Sequence, residues 1–132
     1  MKIIECPRDA MQGIRDFIPT AKKVAYLNSL LKVGFDTLDF GSFVSPKAIP
    51  QMRDTANVLS QLNDSNTSLL AIVANQRGAD EACSFERINF IGYPFSISEI
   101  FQQRNTNKSV DQSLTLVEEL QIKCERYNKS LI

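Results

Sequence analysis

The stretch Leu69-Leu70-Ala71-Ile72-Val73-Ala74 constrains the fold of this chain more than any other. An apolar run of strand length without a polar break marks a strand covered on both faces. Strands of that kind sit in parallel sheets, whose neighbours are joined by long crossovers that are usually helices. A helix is therefore expected on each side of it.

The rest of the chain supplies them. Lys2 to Cys6 is apolar enough for a buried first strand, and Pro7, lacking an N–H, ends its pairing. An entry loop, Gly13 to Pro19, leads to Thr20 as N-cap of a helix carrying Val24, Leu27 and Leu31, with Gly34 at its C′ position. Phe35 to Phe40 reads as a second strand, followed by a Pro-punctuated loop and a helix from Gln51 to Leu62 with Met52, Ala56, Leu59 and Leu62 on its face. Asn75 closes the central strand, and Arg77 to Ser84 reads as a short helix. Arg87 to Gly92 is a fourth strand, with a helical turn around Ser98 to Gln102. Ser109-Val110-Asp111-Gln112 is a capping-box pattern, opening a helix whose stripe is Val110, Leu114, Val117, Leu120 or Gln121, Cys124 and Tyr127. Lys129 to Ile132 lies where another strand would begin.

This order, β-α-β-α-β-α-β-α, implies an α/β fold with a parallel sheet and right-handed crossovers. Four units do not separate an open sheet from half of a closed (β/α)8 barrel. Polar residues nevertheless crowd the loops after the strands: Arg8, Asp9, Gln12, Asp39, Ser42, Asn75 and Asn105. A barrel predicts that distribution, because its ligands bind at the carboxyl ends of the strands.

Composition excludes several classes of function. Lys+Arg 15 balances Asp+Glu 15, which leaves no basic footprint for nucleic acid or an anionic membrane. No apolar run approaches the roughly 20 residues of a membrane helix. Cys6, Cys83 and Cys124 are too widely spaced for a zinc motif and odd in number, so a reducing, cytoplasmic setting and buried structural thiols are expected. The start of the chain shows no secretory or transit pattern. The sequence holds no histidine, so histidine supplies neither a general base nor a metal ligand here.

The residues after the strands carry more than periodicity. Pro7-Arg8-Asp9, Gly41-Ser42-Phe43-Val44-Ser45-Pro46-Lys47, Pro50-Gln51-Met52, Ser98-Glu99-Ile100-Phe101 and Asn105-Thr106-Asn107 occur in that order. Together they resemble hydroxymethylglutaryl-CoA lyase, of the metal-dependent lyases and acyl-CoA condensing synthases built on a TIM barrel. The match is collinear from Ile3 to about Glu119, and the SFVSPK segment followed by PQM favours the lyase over the synthases. The resemblance implies the N-terminal half of a (β/α)8 barrel. The reaction it implies is retro-Claisen cleavage of 3-hydroxy-3-methylglutaryl-CoA to acetyl-CoA and acetoacetate, assisted by Mg²⁺ or Mn²⁺.

Carried over by position, the resemblance implies Asp9 as a metal ligand, Arg8 as a catalytic and substrate-binding cation, and Gln12 and Ser42 as substrate-side contacts. Asp39 stands where the family has a Glu that orders the site, and Ala10-Met11 replaces its usual Gly-Leu. The family's His-x-His pair, Asn ligand and Gly-rich Cys loop have no counterpart here, so the implied divalent-metal site has an incomplete ligand set. Read without the resemblance, Asp9 caps a turn and Arg8 pairs with it; Lys47 is a solvated loop charge or a contact to a CoA phosphate; Asn105 and Asn107 are turn formers.

A (β/α)8 barrel takes roughly 200 residues or more, so residues 1–132 are expected to form a partial barrel ending before a fifth strand. Unpaired first and fourth strands would drive self-association or pairing with a complementary half. The chain alone is expected to be inactive. The alternatives are a non-catalytic half-barrel acting as an assembly or binding module, and part of a related acyl-CoA condensing synthase.

Overall fold

A computed structural model describes residues 1–132. The strands are β1 (Ile4–Glu5), β2 (Thr37–Ser42), β3 (Ser68–Ile72), β4 (Ile88–Gly92) and β5 (Ser130–Leu131). The helices are α1 (Pro7–Gln12), α2 (Thr20–Leu31), α3 (Thr55–Ser60), α4 (Gln76–Cys83), α5 (Glu99–Thr106) and α6 (Val110–Arg126), with a 3-10 turn at Pro50–Met52. All pairings are parallel, and the spatial order is β1-β2-β3-β4-β5. A doubly wound sheet reverses its strand order at a switch point. This one never does, and that selects the barrel over the open sheet.

β3 has two apolar faces for two different reasons. Leu69, Ala71 and Val73 are buried in the main core, beneath the helices. Leu70, Ile72 and Ala74 line a concave space on the other side of the sheet. The core on the helix side includes Leu27, Leu31, Phe40, Leu59, Ala82 and Leu120. No helix is long and apolar enough to cross a membrane.

Four expectations are corrected. The first strand shrinks to two residues, and Ile3 and Ile4 are exposed, because β1 is an edge strand with nothing on its far side. A helix that was not expected, α1, lies between the first strand and the entry loop, and Pro7 can start it because the first helical position has no N–H bond to lose. The helix after the SFVSPK segment breaks into the 3-10 turn and α3. The sheet also extends beyond the fourth strand: Ser130 and Leu131 pair with Phe90 and Ile91.

On α6 the capping box forms as expected, with Ser109 and Gln112 satisfying each other's backbone N–H groups. Its buried face, however, is Ser113, Leu116, Leu120 and Cys124, and Leu114 is 46% exposed. The rotation brings Ser113 Oγ within 2.6 Å of Gln102 Nε2, in a hydrogen bond between wholly buried side chains. An unpaired Gln102 amide would cost about 1–3 kcal/mol, comparable to burying one further leucine.

Candidate active site

Residues from four loops and helix starts meet at the carboxyl end of the sheet, around an open concavity of about 1020 Å³. Arg8, Asp9, Gln12, Asp39 and Ser42 all line it. The local reasons are legible. Arg8 and Asp9 occupy the first turn of α1, where a carboxylate suits the positive end of the helix. Gln12 follows Arg8 by four residues and so lies on the same face.

β2 contributes Asp39 and Ser42 to one side, which strict alternation forbids, since i and i+3 point opposite ways. A register shift against β3 between Asp39 and Gly41 supplies the missing residue. Gly41 suits this site because a Cβ there would lie 2.7 Å from Thr55 Cγ2.

Arg8 is the hub. Its Nη2 donates to Asp39 Oδ2 at 2.7 Å, and Nε donates to Asp39 Oδ1 and Oδ2 at 3.2 and 3.1 Å. Nη1 donates to Gln12 Oε1 at 2.9 Å and to Asp9 Oδ1 at 3.2 Å. Gln12 Nε2 closes the ring on Asp9 Oδ1 at 3.0 Å. A guanidinium has five N–H groups. These bonds engage four, which leaves one Nη2 proton and Asp9 Oδ2 without a protein partner.

Charge and burial are graded across the group. Side-chain exposure is 3% for Asp39, 14% for Arg8 and 68% for Asp9. Burial lifts the Asp39 carboxyl above its ordinary value while the Arg8 bond pulls it back, and burial wins. Burial works against the Arg8 charge, but the hydrogen bond and charge of Asp39 more than offset it, so Arg8 stays above its ordinary value. Asp39 thus reaches Arg8 despite its short side chain.

Cys6 is exposed and lines the same concavity, not buried as expected, whereas Cys83 and Cys124 are buried. It occupies the N-cap of α1, where its side chain caps nothing. The sequence reading missed Tyr93, Phe95 and Phe101, which give the concavity an aromatic wall. The signal for Tyr93 and Phe95 lay in the loop after β4, where Tyr-Pro-Phe is more apolar than a solvated loop requires, whereas Phe101 lies in α5. Asn75 lines the wall and also caps α4, accepting from Gly78 N at 2.9 Å. Asn105 lies in α5 and lines the concavity, whereas Asn107 ends that helix in the left-handed conformation, φ 56°. Lys47 lies on the exposed loop.

No three His, Cys, Asp or Glu side chains stand together in a way that could hold a metal ion. Asp39 is committed to Arg8, so Asp9 is the one carboxylate here with an open oxygen.

No family model matches the chain. It is 32% identical to the hydroxymethylglutaryl-CoA lyase YngG of Bacillus subtilis over 123 residues, 92% of this chain and 41% of that protein. It is 33% identical to a 3-hydroxy-3-isohexenylglutaryl-CoA/hydroxymethylglutaryl-CoA lyase of Pseudomonas aeruginosa, over 82% of this chain and 36% of that one. Among solved structures, the B. subtilis HMG-CoA lyase superposes with TM-score 0.92 at 31% identity, over 98% of this chain and 44% of that chain. An Acinetobacter baumannii HMG-CoA lyase in complex with coenzyme A and 3-methylmalate gives TM-score 0.90 at 28% identity, over 98% and 43%. The chain thus spans about two fifths of the length of the relatives it matches. In sequence, strand order and backbone course the chain is similar to about two fifths of the hydroxymethylglutaryl-CoA lyases.

Proposed function

We propose that this chain forms the Arg-Asp side of a hydroxymethylglutaryl-CoA lyase-type active site, for carbon–carbon cleavage of 3-hydroxy-3-methylglutaryl-CoA. The observation that carries the reading is Arg8, ionised, held by Asp39 and retaining one open N–H at the mouth of the concavity. In the reaction the tertiary hydroxyl loses its proton and the adjacent C–C bond breaks. Its electrons pass to the thioester's α-carbon, giving the enolate of acetyl-CoA, which is then protonated, and acetoacetate.

The protein must meet a negative charge that grows on the thioester oxygen. A preorganised guanidinium fits that task, because its orientation is fixed before the charge develops. Asp39 and Gln12 hold Arg8 in place, and Ser42 offers a hydroxyl on the same wall. The aromatic wall and the inner face of β3 suit an acyl chain.

Lyases of this kind use a divalent cation, Mg²⁺ or Mn²⁺, and such ions need about six donors. The residues of this chain do not make that site by themselves. Asp9 would be one ligand, with the remaining donors, and the acid that protonates the enolate, supplied from outside residues 1–132. The chain alone is therefore expected to release no acetoacetate from the thioester in Mg²⁺ or Mn²⁺. Co-expression with the complementary part of the B. subtilis relative should restore turnover, and Arg8→Met should lower kcat by about 10²–10³-fold. Turnover by the chain alone, or an active Arg8→Met complex, would refute the proposal.

The two free sheet edges support a second reading, an assembly module. β1 and β5 each lack an outer neighbour, and Ile3, Ile4 and Ile132 are exposed there. Pairing with a second copy or with a complementary half would cover them. Light scattering showing a folded monomer at micromolar concentration would count against self-pairing.

A further inference from the structure

Pro50-Gln51-Met52 forms the 3-10 turn and contributes no residue to the wall of the concavity. Gln51 is nonetheless buried, at 3% exposed, and its carboxamide bonds only to the segment between α1 and α2. Nε2 donates to the carbonyls of Ile14 and Asp16, both at 3.0 Å, and Oε1 accepts from Ile18 N at 2.8 Å. A glutamine amide has two N–H donors, so both are engaged. The backbone carbonyl of Gln51 accepts from Lys23 Nζ, a buried ammonium that also donates to Asp54 Oδ1 at 2.6 Å. Asp54 Oδ2 in turn accepts from Thr20 Oγ1 at 2.7 Å. Phe17 is held as well, its ring centroid 4.2 Å from Lys23 Nζ and 3.8 Å from the Arg53 guanidinium. The chain from Ile14 to Thr20 is thus fastened to the 3-10 turn and the residues just after it.

α1 needs an anchor of this kind. A helix of 6 residues is not stable by itself. Cys6 gives it no side-chain cap, and β1 ahead of it pairs through two residues at the sheet edge. Met11 is buried beneath it, but apolar contact has no direction and does not fix how the helix is turned. At its far end, Gly13 alone separates Gln12 from the clamped Ile14, and Gln12 Oε1 accepts from Arg8 Nη1 at 2.9 Å. We propose that Gln51 is a positioning residue for Arg8. By pinning the chain just past Gln12, it holds α1 where the guanidinium meets Asp39 side by side. Asp39 orients Arg8 from β2, and Gln51 sets the helix that carries it. The bearing of Gln51 on catalysis rests on the lyase reading of Arg8, whereas the placement of the guanidinium does not.

The test follows the Arg8 Nε–H by ¹H–¹⁵N NMR, its signal assigned by loss in Arg8→Lys. Gln51→Met keeps the side-chain volume and removes all three of its bonds. In this variant the Arg8 Nε–H should shift and exchange with solvent at least about tenfold faster. Ile88→Val takes one buried methylene from β4, which weakens the fold away from the clamp, and should leave the Arg8 signal unchanged. In the unsubstituted chain, the Ile18 N–H and the Arg8 Nε–H should open together as urea is added. In the complex with the complementary part of the B. subtilis relative, Gln51→Met should lower kcat about tenfold with KM little changed. An Arg8 signal unmoved by Gln51→Met, or moved equally by Ile88→Val, would overturn the proposal. So would an Arg8 Nε–H that opens far ahead of Ile18, or full turnover by the Gln51→Met complex. A signal that moves as expected, beside a complex inactive even with Gln51 intact, would uphold this placement and count against the lyase reading.

Discussion

Arg8 and Asp39, 31 positions apart in sequence, are joined side by side, with Nη2 to Oδ2 at 2.7 Å and Nε shared between both carboxylate oxygens. The pair ties α1 to β2 and sets the direction in which Arg8 faces the concavity. Asp39 therefore positions the guanidinium, and Arg8 is the group left to meet a substrate.

Removing Asp39 should be costly. Asp39→Ala leaves a largely buried guanidinium without its partner, and loss of about 3–5 kcal/mol is expected in urea unfolding. Asp39→Glu, the residue the family places here, keeps the pair and should change stability by less than about 1.5 kcal/mol. An Asp39→Ala chain as stable as the parent would show that the pair contributes nothing.

The same carboxyl should titrate late. Its ordinary value is 3.8, and burial raises it in the fold. The folded state therefore holds this proton more tightly than the unfolded one. The Asp39 contribution favours folding below about pH 4 and is lost as pH rises through the raised value. A ¹³C carboxyl titration should place its midpoint above 3.8, with the Arg8 Nε resonance moving in step. A midpoint below 3.8 would contradict the burial of the pair.

The three thiols should divide by reactivity. Cys83 and Cys124 are both buried, and burial pushes Cys124 up to about 11. Cys6 is exposed, although burial of its sulfur and the nearby Asp39 carboxylate raise it too. With an aromatic disulfide reagent at pH 8, one thiol should react in the native chain and all three in denaturant. Peptide mapping should find the native label on Cys6.

Gly78→Ala sets two effects against each other. Alanine gains about 1 kcal/mol of helix propensity. The added Cβ would meet the Phe43 carbonyl at 2.3 Å, and forced repacking of this kind typically costs about 1–3 kcal/mol. The steric cost should win, lowering Tm by several degrees. A raised Tm would mean that the loop after β2 yields freely.

Much of the fold follows from local pattern. The apolar run of β3, the capping box of α6 and the alternation of strands and helices each depend on residues a few positions apart. Pro7 at the start of α1 is equally local, yet its signal is ambiguous, since proline both ends strand pairing and starts helices. Of the expected α6 stripe, Leu120 and Cys124 face the core but Leu114 and Tyr127 do not, for a different reason. Helical spacing alone allows more than one face to point inward, and Gln102 selected the one that carries Ser113.

Taken alone, the sequence determined a parallel α/β arrangement, the absence of any histidine chemistry, and the polar residues that follow each strand. Those properties rest on side-chain type and short-range spacing, which the chain carries wherever it is folded. Only the tertiary structure decided that strand order runs without reversal and that a bulge in β2 turns Asp39 and Ser42 toward one cavity. It also decided that Arg8 gives most of its donors to Asp39 and Gln12, leaving a single N–H open. Each of these depends on sheet register and burial, where a shift of one residue sends a side chain to the opposite face.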